Sequence, residues 1–421
     1  MEWTYIAALA IFIVTYGLIA IRKIGKYRIK SYMASLAGAA IMLLLGILPL
    51  DKVADSVEWS VIFLLLGMMA LNASLEYCGF FDLVVEKLMR KYSNTMQFFG
   101  AIMVITAVLS AIALNDAVVL IFCPIVIKCC QKLHANPIPF LIALFISANI
   151  GCAATFVGAP HNAVVETYAG MSFLDYSIRS IPLVAICLPI TIFMMKRLYA
   201  KDLSKEFTDF NEPYIERIVV KTPKMYACMA VLVATVVFFA ISNYIGLEIY
   251  QIALVSGAIA TLIIMTDRPV NCLYVAKHIE WSLLLFFIGL FIVVRGAVEV
   301  GIIEDLASVM GLGEGSTPSI LTVTVFSAVL SNLICNVPAC VLLGEMIVSS
   351  DPMIWVAVAV SASFACNATL IGAATNLICA DIGERRGHQI NFWEFMKIGV
   401  PISVVTILVA LGYMYLLDAF F

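Results

Sequence analysis

Long apolar runs dominate the chain, and polar residues interrupt only some of them. A helix needs about 20 apolar residues to cross a membrane, and eight runs approach that length without a break. They cover roughly 3–21, 33–50, 60–80, 178–195, 225–243, 250–266, 282–300 and 400–420. Four further stretches combine apolar sequence with internal polar positions. The pattern therefore predicts an all-α polytopic membrane protein with two kinds of interrupted element.

Two of the interrupted stretches are too long for a single crossing. Residues 97–128 carry Asn115 and Asp116 near their middle, and residues 317–348 carry Asn336 at a similar place. A polar tip between two apolar arms is typical of a helical hairpin that enters the membrane and returns to its own side. We predict one re-entrant hairpin in each stretch.

The other two interrupted stretches have the length of a crossing but contain glycine and asparagine at their centres. These stretches are 138–165, with the break at 151–162, and 354–380, with the break at 367–376. Unwound backbone is tolerated at membrane depth only where it is buried in protein or lines a wet cavity. We therefore predict two broken helices that form a site near the middle of the membrane.

Composition supports the membrane assignment. Of the 421 residues, 63% are hydrophobic and 13% are charged, the mean hydropathy is +1.04 and the net charge is −3. A soluble domain has about 25% charged residues, so a soluble enzyme is excluded. The balanced charge does not favour nucleic-acid binding. The 12 cysteines are scattered through apolar sequence, so neither a disulfide framework nor a zinc site is indicated. No cofactor is expected apart from Na⁺ or H⁺ as the coupling ion.

The basic residues predict the orientation, because cytoplasmic loops carry the excess of Lys and Arg. With both termini outside and each hairpin returning to its own side, 22 of the 25 basic residues fall inside. This arrangement has ten crossings and two hairpins. We expect a multi-pass protein of the inner, cytoplasmic membrane, embedded in the lipid bilayer.

The two halves of the chain repeat each other. Glu58-Trp59-Ser60 precedes one apolar run and Glu280-Trp281-Ser282 precedes another, followed by a hairpin and a broken helix in both cases. Five crossings per half turn the second half upside down. We predict inverted repeats at 1–195 and 225–421 and a cytoplasmic linker at 196–224. Inverted repeats with matched interruptions are typical of secondary transporters.

The first hairpin tip carries the most informative charge. A carboxylate inside the membrane costs at least about 2.5–3.5 kcal/mol, so Asp116 indicates a bound cation, a proton or a polar partner. An alternative is that Asp116 caps the second arm of the hairpin. Asn336 holds the matching place in the second hairpin without an acidic neighbour.

The broken helices offer amides, hydroxyls and free backbone opposite these tips. Half-helix termini and unwound carbonyls bind anions and cations in transporters, although glycine there also permits close helix packing. The predicted substrate-binding residues are Asn115, Thr155, Gly158, His161, Asn162, Asn336, Thr369, Gly372, Thr375 and Asn376. The predicted cation or proton sites are Asp116, Asn115, Asn149, Asn336 and Asn367.

Two basic side chains have open roles. His161 suits a proton carrier, because its pKa is ordinarily near neutral, and it equally suits a hydrogen-bonded structural position. Arg295 lies inside a span, where it would attract an anionic substrate, pair with Glu299 or extend to the outer interface.

The hairpin and break motifs resemble those of the ion transporter superfamily. The strings that carry the resemblance are LNDAVVLIFCPIV, SANIGCAATFVGAPHN, SNLICNVPAC, NATLIGAATNLI and INFWEFMKIGVP. Within that superfamily the chain is most similar to the branch of anion permeases that includes the arsenite permease ArsB and NhaD. The resemblance implies a scaffold domain, a transport domain with both hairpins, elevator-type alternating access and a homodimer.

The expected function is secondary active transport of a small inorganic oxyanion such as arsenite or antimonite, coupled to H⁺ or Na⁺. The alternatives are a Na⁺-coupled dicarboxylate, citrate or sulfate symporter and a Na⁺/H⁺ antiporter.

Overall fold

The computed structural model describes residues 2–21, 23–24, 27–28, 30–92, 94–132, 135–203, 222–266, 270–312 and 318–420. The described part of the chain is helical apart from two short antiparallel strands, β1 (Lys23–Ile24) and β2 (Tyr27–Arg28). The predicted all-α class is thereby confirmed in outline. Most of the predicted linker, residues 204–221, lies outside the described residues.

The first nine helices run from the N-terminus to the region before the linker. They are α1 (Glu2–Ile21), α2 (Ser31–Leu44), α3 (Trp59–Tyr77), α4 (Phe80–Lys91), α5 (Thr95–Ile112), α6 (Asn115–Lys132), α7 (Pro137–Cys152), α8 (Pro160–Ala169) and α9 (Phe173–Leu198). Two 3-10 turns occur at Leu50–Lys52 and Phe156–Gly158.

Ten more helices follow. They are α10 (Thr222–Ile245), α11 (Ile249–Met265), α12 (Asn271–His278), α13 (Trp281–Glu299), α14 (Ile302–Met310), α15 (Ile320–Ile334), α16 (Asn336–Met346), α17 (Pro352–Ala365), α18 (Ala374–Arg385) and α19 (Phe392–Phe420).

Six of these helices are long and apolar enough to cross a membrane by themselves, within the described residues. They are Trp59–Tyr77, Thr95–Ile112, Phe173–Leu198, Pro223–Ile245, Trp281–Glu299 and Phe392–Ala419. Shorter apolar helices occupy most of the other predicted spans, so the count of ten crossings stays a prediction. The span at 33–50 was predicted too long, because α2 ends at Leu44 and Gly46 then takes a left-handed turn with φ of 66°.

Each interruption predicted from the sequence is a helix break. α5 ends at Ile112 and α6 begins at Asn115, whereas α15 and α16 are separated only by Cys335, which has a φ of 77°. The first broken helix consists of α7 and α8, and the second consists of α17 and α18. Pro160 starts α8 where a helix needs no backbone N–H, which fixes that boundary.

Close helix contacts recur at matching glycines in the two halves. A Cβ on Gly67 of α3 would lie 2.4 Å from the Ala253 carbonyl of α11, and one on Gly289 of α13 would lie 2.6 Å from the Ser35 carbonyl carbon of α2. Only glycine permits that approach. In these two pairs α3 contacts α8 and α13 contacts α16, so both pairs lie against the interrupted elements.

Candidate functional site

The hairpin tips meet the broken helices of the opposite half. Asn115 at the start of α6 donates through Nδ2 to Thr375 Oγ1 of α18 at 3.0 Å. Asn336 at the start of α16 pairs through Nδ2 with His161 Nδ1 of α8 at 3.0 Å. The sequence predicted that both tips and both breaks line one site. The structure brings these four residues together by crossed pairing, and all four are buried.

Asn149 lies at the middle of this centre. Its Nδ2 donates to Asn367 Oδ1 at 2.9 Å and to Asn376 Oδ1 at 2.8 Å, so α7 is joined to the second break. Its Oδ1 accepts from Asn115 Nδ2 at 3.3 Å. We name the buried side chains Asn115, Asn149, Asn162, Asn336, Asn367 and Asn376 the amide centre.

Asn162 and Asn376 perform the same task in the two breaks. Asn162 Nδ2 donates to the backbone carbonyls of Cys152 and Thr155, at 2.8 and 3.1 Å. Asn376 Nδ2 donates to the carbonyls of Cys366 and Thr369, at 2.8 and 3.0 Å. A broken helix leaves such carbonyls without helical partners. Each asparagine therefore holds its own break together.

Hydroxyl groups anchor the breaks to the adjacent hairpins. Thr155 Oγ1 donates to the Ala111 carbonyl at 2.5 Å, and Thr369 Oγ1 donates to Asn332 Oδ1 at 3.0 Å. Both threonines were predicted to bind substrate. In this conformation each hydroxyl is engaged within its own half.

Gly158 and Gly372 permit the tight path of the two breaks. A Cβ on Gly158 would lie 2.3 Å from the Cys152 carbonyl oxygen, and one on Gly372 would lie 2.6 Å from the Cys366 carbonyl oxygen. Real Cβ atoms do not approach that closely. The backbone of Gly372 also accepts from the Asn336 N–H at 3.1 Å, which ties the second break to the second tip.

The amide centre contains two polar atoms with no hydrogen-bond partner within the described part of the chain. These atoms are Asn162 Oδ1 and Asn367 Nδ2. Buried polar atoms are paired in the great majority of cases, so an unpaired acceptor and an unpaired donor in one centre indicate room for a polar ligand. The donor suits an anion, and the acceptor suits a cation or a proton donor.

Asp116 bonds across the two halves. Its carboxylate accepts a hydrogen bond from the Thr375 hydroxyl, and its side chain is 6% exposed. The N–H of Asp116 donates to Asn115 Oδ1 at 2.9 Å, and the N–H of Val337 donates to Asn336 Oδ1 at the same distance. The asparagine at each tip therefore binds the N–H that follows it, and the carboxylate of Asp116 faces the second break.

A cavity of about 170 Å³ opens beside Asp116. Its polar lining consists of Asn72, Glu76, Asp116, Lys277, His278 and Glu280. Burial, followed by the nearby charge of Asp116, raises the pKa of Glu280 to about 7. We name this space the Asp116 cavity.

Sequence reasoning missed Asn72 as a lining residue of the Asp116 cavity. The available signal was an asparagine within a largely apolar span, which is costly in a membrane and so indicates function. Ser363 was also missed, and its hydroxyl contacts the ring of His161.

Both ring nitrogens of His161 are engaged. Nε2 lies 2.7 Å from Ser363 Oγ, and Nδ1 pairs with Asn336 as described above. The side chain is completely buried. These contacts favour the hydrogen-bonded structural interpretation over a free proton carrier.

Arg295 lies away from the Asp116 cavity. Its guanidinium pairs with Glu299 at 3.3 Å, and Lys52 binds the other oxygen of that carboxylate at 2.7 Å. Arg295 is 12 residues beyond the cavity residue Leu283 on α13, or about 18 Å along a helix that rises about 1.5 Å per residue. Of the roles open to Arg295, the structure supports the ion pair.

Apolar helices of spanning length and a buried polar centre built from interrupted helices define a multi-pass membrane transporter. The citrate transporter family matches residues 16–357, and the chain belongs to that family. The narrower ArsB and NhaD branch is not distinguished by this match.

Named relatives agree with the class. The chain is 30% identical to a 46 kDa membrane protein of Mycobacterium leprae and to an uncharacterized transporter of Mycobacterium tuberculosis, with 98% of each chain covered. It is 27% identical to the human P protein over 92% of this chain and 57% of that protein. The YdaH transporter of Alcanivorax borkumensis has a similar fold, with a TM-score of 0.59, 14% identity and 98% of its chain covered. The protein is a transporter and not an enzyme.

Proposed function

We propose that this protein is a secondary active transporter that moves a small anion together with, or in exchange for, H⁺ or Na⁺. The observation that carries the proposal is the amide centre, where both halves bring neutral amides to one buried place beside the carboxylate of Asp116. Neutral donors bind an anion without the strong hold of a lysine or arginine, and release is as necessary as binding in a transporter.

Charge explains why a cation belongs to the cycle. An ionised Asp116 repels an anion placed in the amide centre, because charges in a low-dielectric interior interact strongly. A proton on Asp116, or a Na⁺ beside it, removes that repulsion. Occupation of the site by the anion is thereby linked to occupation by the cation, and this linkage is the physical basis of coupled transport.

Two classes of anion fit the proposal. The description of the family as citrate transporters favours a carboxylate such as citrate. The resemblance of the hairpin and break motifs to the arsenite permease favours a small oxyanion such as arsenite or antimonite, and sulfate belongs to the same size class. A Na⁺/H⁺ antiporter without any anion is the remaining alternative.

The mechanism that we propose is alternating access by an elevator motion. The two hairpins and the two broken helices would move as one transport domain against a scaffold that includes α3 and α13. The crossed contacts between the hairpin tips and the opposite breaks support a single moving unit, because separating them would leave buried amides unpaired. Two inverted repeats, a homodimer and a location in the cytoplasmic membrane with both termini outside belong to the same proposal.

The test is transport by purified protein in sealed liposomes. Uptake of labelled citrate, succinate, sulfate and arsenite is measured under an imposed Na⁺ gradient, an imposed pH gradient and neither. We expect one anion class to accumulate only with an ion gradient, and we expect Asp116→Asn to abolish that accumulation while the folded protein remains extractable. Asp175→Asn, an exposed carboxylate at the start of α9, is the matched control.

Two results would contradict the proposal. Movement of Na⁺ or H⁺ without any anion would indicate the antiporter. Anion flux that is indifferent to every ion gradient, in wild type and in Asp116→Asn alike, would indicate a passive pathway.

A further inference from the structure

The Asp116 cavity runs from exposed to buried side chains. Lys277 and His278, at the end of α12, are exposed and form its rim. Asn72 of α3 and Asp116 of α6 are 2% and 6% exposed and lie at its inner end. The cavity therefore leads from the surface of the protein to the carboxylate that the proposed function assigns to coupling.

Asn72 is the unusual residue of this cavity. Neither its Oδ1 nor its Nδ2 has a hydrogen-bond partner among the residues that the structure describes. A buried carboxamide without partners is rare, and its explanation is commonly an absent water or ion. The corresponding position of α13, counted from the shared Glu-Trp-Ser motif, is Val294. Of these two matching positions, only the one in α3, which lines the same cavity as Asp116, carries a carboxamide.

The lining favours a cation. Three carboxylates, those of Glu76, Asp116 and Glu280, surround the space, and the basic side chains lie at the rim. About 170 Å³ corresponds to several water molecules at about 30 Å³ each. Within the described residues no group of three or more His, Cys, Asp or Glu side chains is arranged to hold a metal ion directly. A hydrated monovalent cation fits a space of this size.

We propose that the Asp116 cavity is the entry site for the coupling cation and that the carboxamide of Asn72 binds this hydrated cation on its way to Asp116. The inference rests on the proposed function and adds the route and the first binding residue. The ligand is a small monovalent cation, Na⁺ or a proton carried by the water in the cavity. Glu76 and, above its pKa of about 7, Glu280 supply the negative charge that concentrates it.

The first test measures cation binding without any transported anion. The thermal unfolding midpoint of detergent-purified protein is followed against Na⁺ at fixed pH with choline as the inert ion, and against pH without Na⁺. A ligand that binds only the folded state raises this midpoint. We expect Asn72→Leu to need at least tenfold more Na⁺, or at least tenfold more H⁺, for half of the wild-type shift.

Thr106→Val is the matched control. Thr106 is also completely buried, and its side-chain oxygen has no hydrogen-bond partner among the described residues, but it lies in α5 and does not line the Asp116 cavity. We expect Thr106→Val to keep the wild-type response within about twofold, because this substitution removes no contact with the cation. The tenfold change expected for Asn72→Leu corresponds to about 1.4 kcal/mol of binding free energy. Glu280→Gln is expected to weaken the response in the same direction as Asn72→Leu.

Several outcomes overturn the inference. One is an unchanged cation response in Asn72→Leu, and another is a wild-type protein whose midpoint responds to neither Na⁺ nor pH. In liposomes, Asn72→Leu is expected to weaken gradient-driven anion uptake together with its weaker cation response. Anion uptake that falls while the cation response of the unfolding midpoint stays at the wild-type level would place Asn72 in the anion site instead. Failure of the wild type to move any anion would refute the proposed function, while the unfolding measurement would still judge the cation site.

Discussion

Replacing Asn149 is the sharpest perturbation of the amide centre. Asn149→Leu keeps a side chain of similar size in α7 but removes both donors of the carboxamide. The acceptors Asn367 Oδ1 and Asn376 Oδ1, now 2.9 and 2.8 Å from Asn149 Nδ2, lose that partner. Both residues have no exposed surface, so water does not replace the lost bonds in the folded protein.

The expected loss of stability follows from those two acceptors. A buried polar group deprived of its partner costs about 1–3 kcal/mol, so two such groups cost about 2–6 kcal/mol. Ser147→Ala in the same helix is the control. Ser147 is equally buried, but within the described part of the chain its hydroxyl donates only to the carbonyls of Ala143 and Leu144 of α7, so its loss costs about 0.5–1.5 kcal/mol.

The assay is reversible unfolding in mixed detergent micelles, with the free energy of unfolding compared among wild type, Asn149→Leu and Ser147→Ala. We expect the loss in Asn149→Leu to exceed that in Ser147→Ala by at least about 0.5 kcal/mol, the smallest difference between the two ranges. Equal losses in the two variants would refute the view that Asn149 joins α7 to the second break. They would mean that the amides re-pair or that water reaches the centre.

Three further predictions concern other parts of the protein. Gly158→Ala should lose about 1–3 kcal/mol of stability by overpacking, whereas Gly17→Ala, with open space around its Cβ position, should not. Because the pKa of Glu280 rises from 4.5 to about 7 on folding, its contribution to the free energy of unfolding is fully present below about pH 4.5 and is lost as the pH rises through 7. Glu280→Gln should therefore make the free energy of unfolding less dependent on pH between these values. Cysteines introduced at the exposed positions Lys201 and Val309 should be labelled from opposite sides of the membrane, with position 201 labelled from the cytoplasm. Labelling of both positions from the same side would contradict the predicted orientation. Background labelling should be low, because eleven of the 12 native cysteines are buried.

Much of the local structure follows from sequence pattern. Polar residues within apolar stretches predicted where helices break, and the structure breaks them at Asn115, at Asn336 and within 151–162 and 367–376. Such breaks depend on local chemistry, because glycine, proline and asparagine disfavour a continuous helix in any surroundings. Helix ends were less predictable. α2 ends at Leu44, since a left-handed glycine turn stops a helix without lowering the hydropathy of the sequence around it.

The sequence by itself determined that the chain is a membrane protein with two interrupted elements in each half, and it selected the asparagines that meet in the buried centre. Only the tertiary structure decided how they are paired: each tip with the opposite break, Asn162 and Asn376 with the carbonyls of their own breaks, and Arg295 with Glu299. It also placed Asn72 beside Asp116 in one cavity. The physical reason is that hydrophobic periodicity reports whether a side chain avoids water or lipid, whereas hydrogen-bond partners depend on distances between helices far apart in the chain.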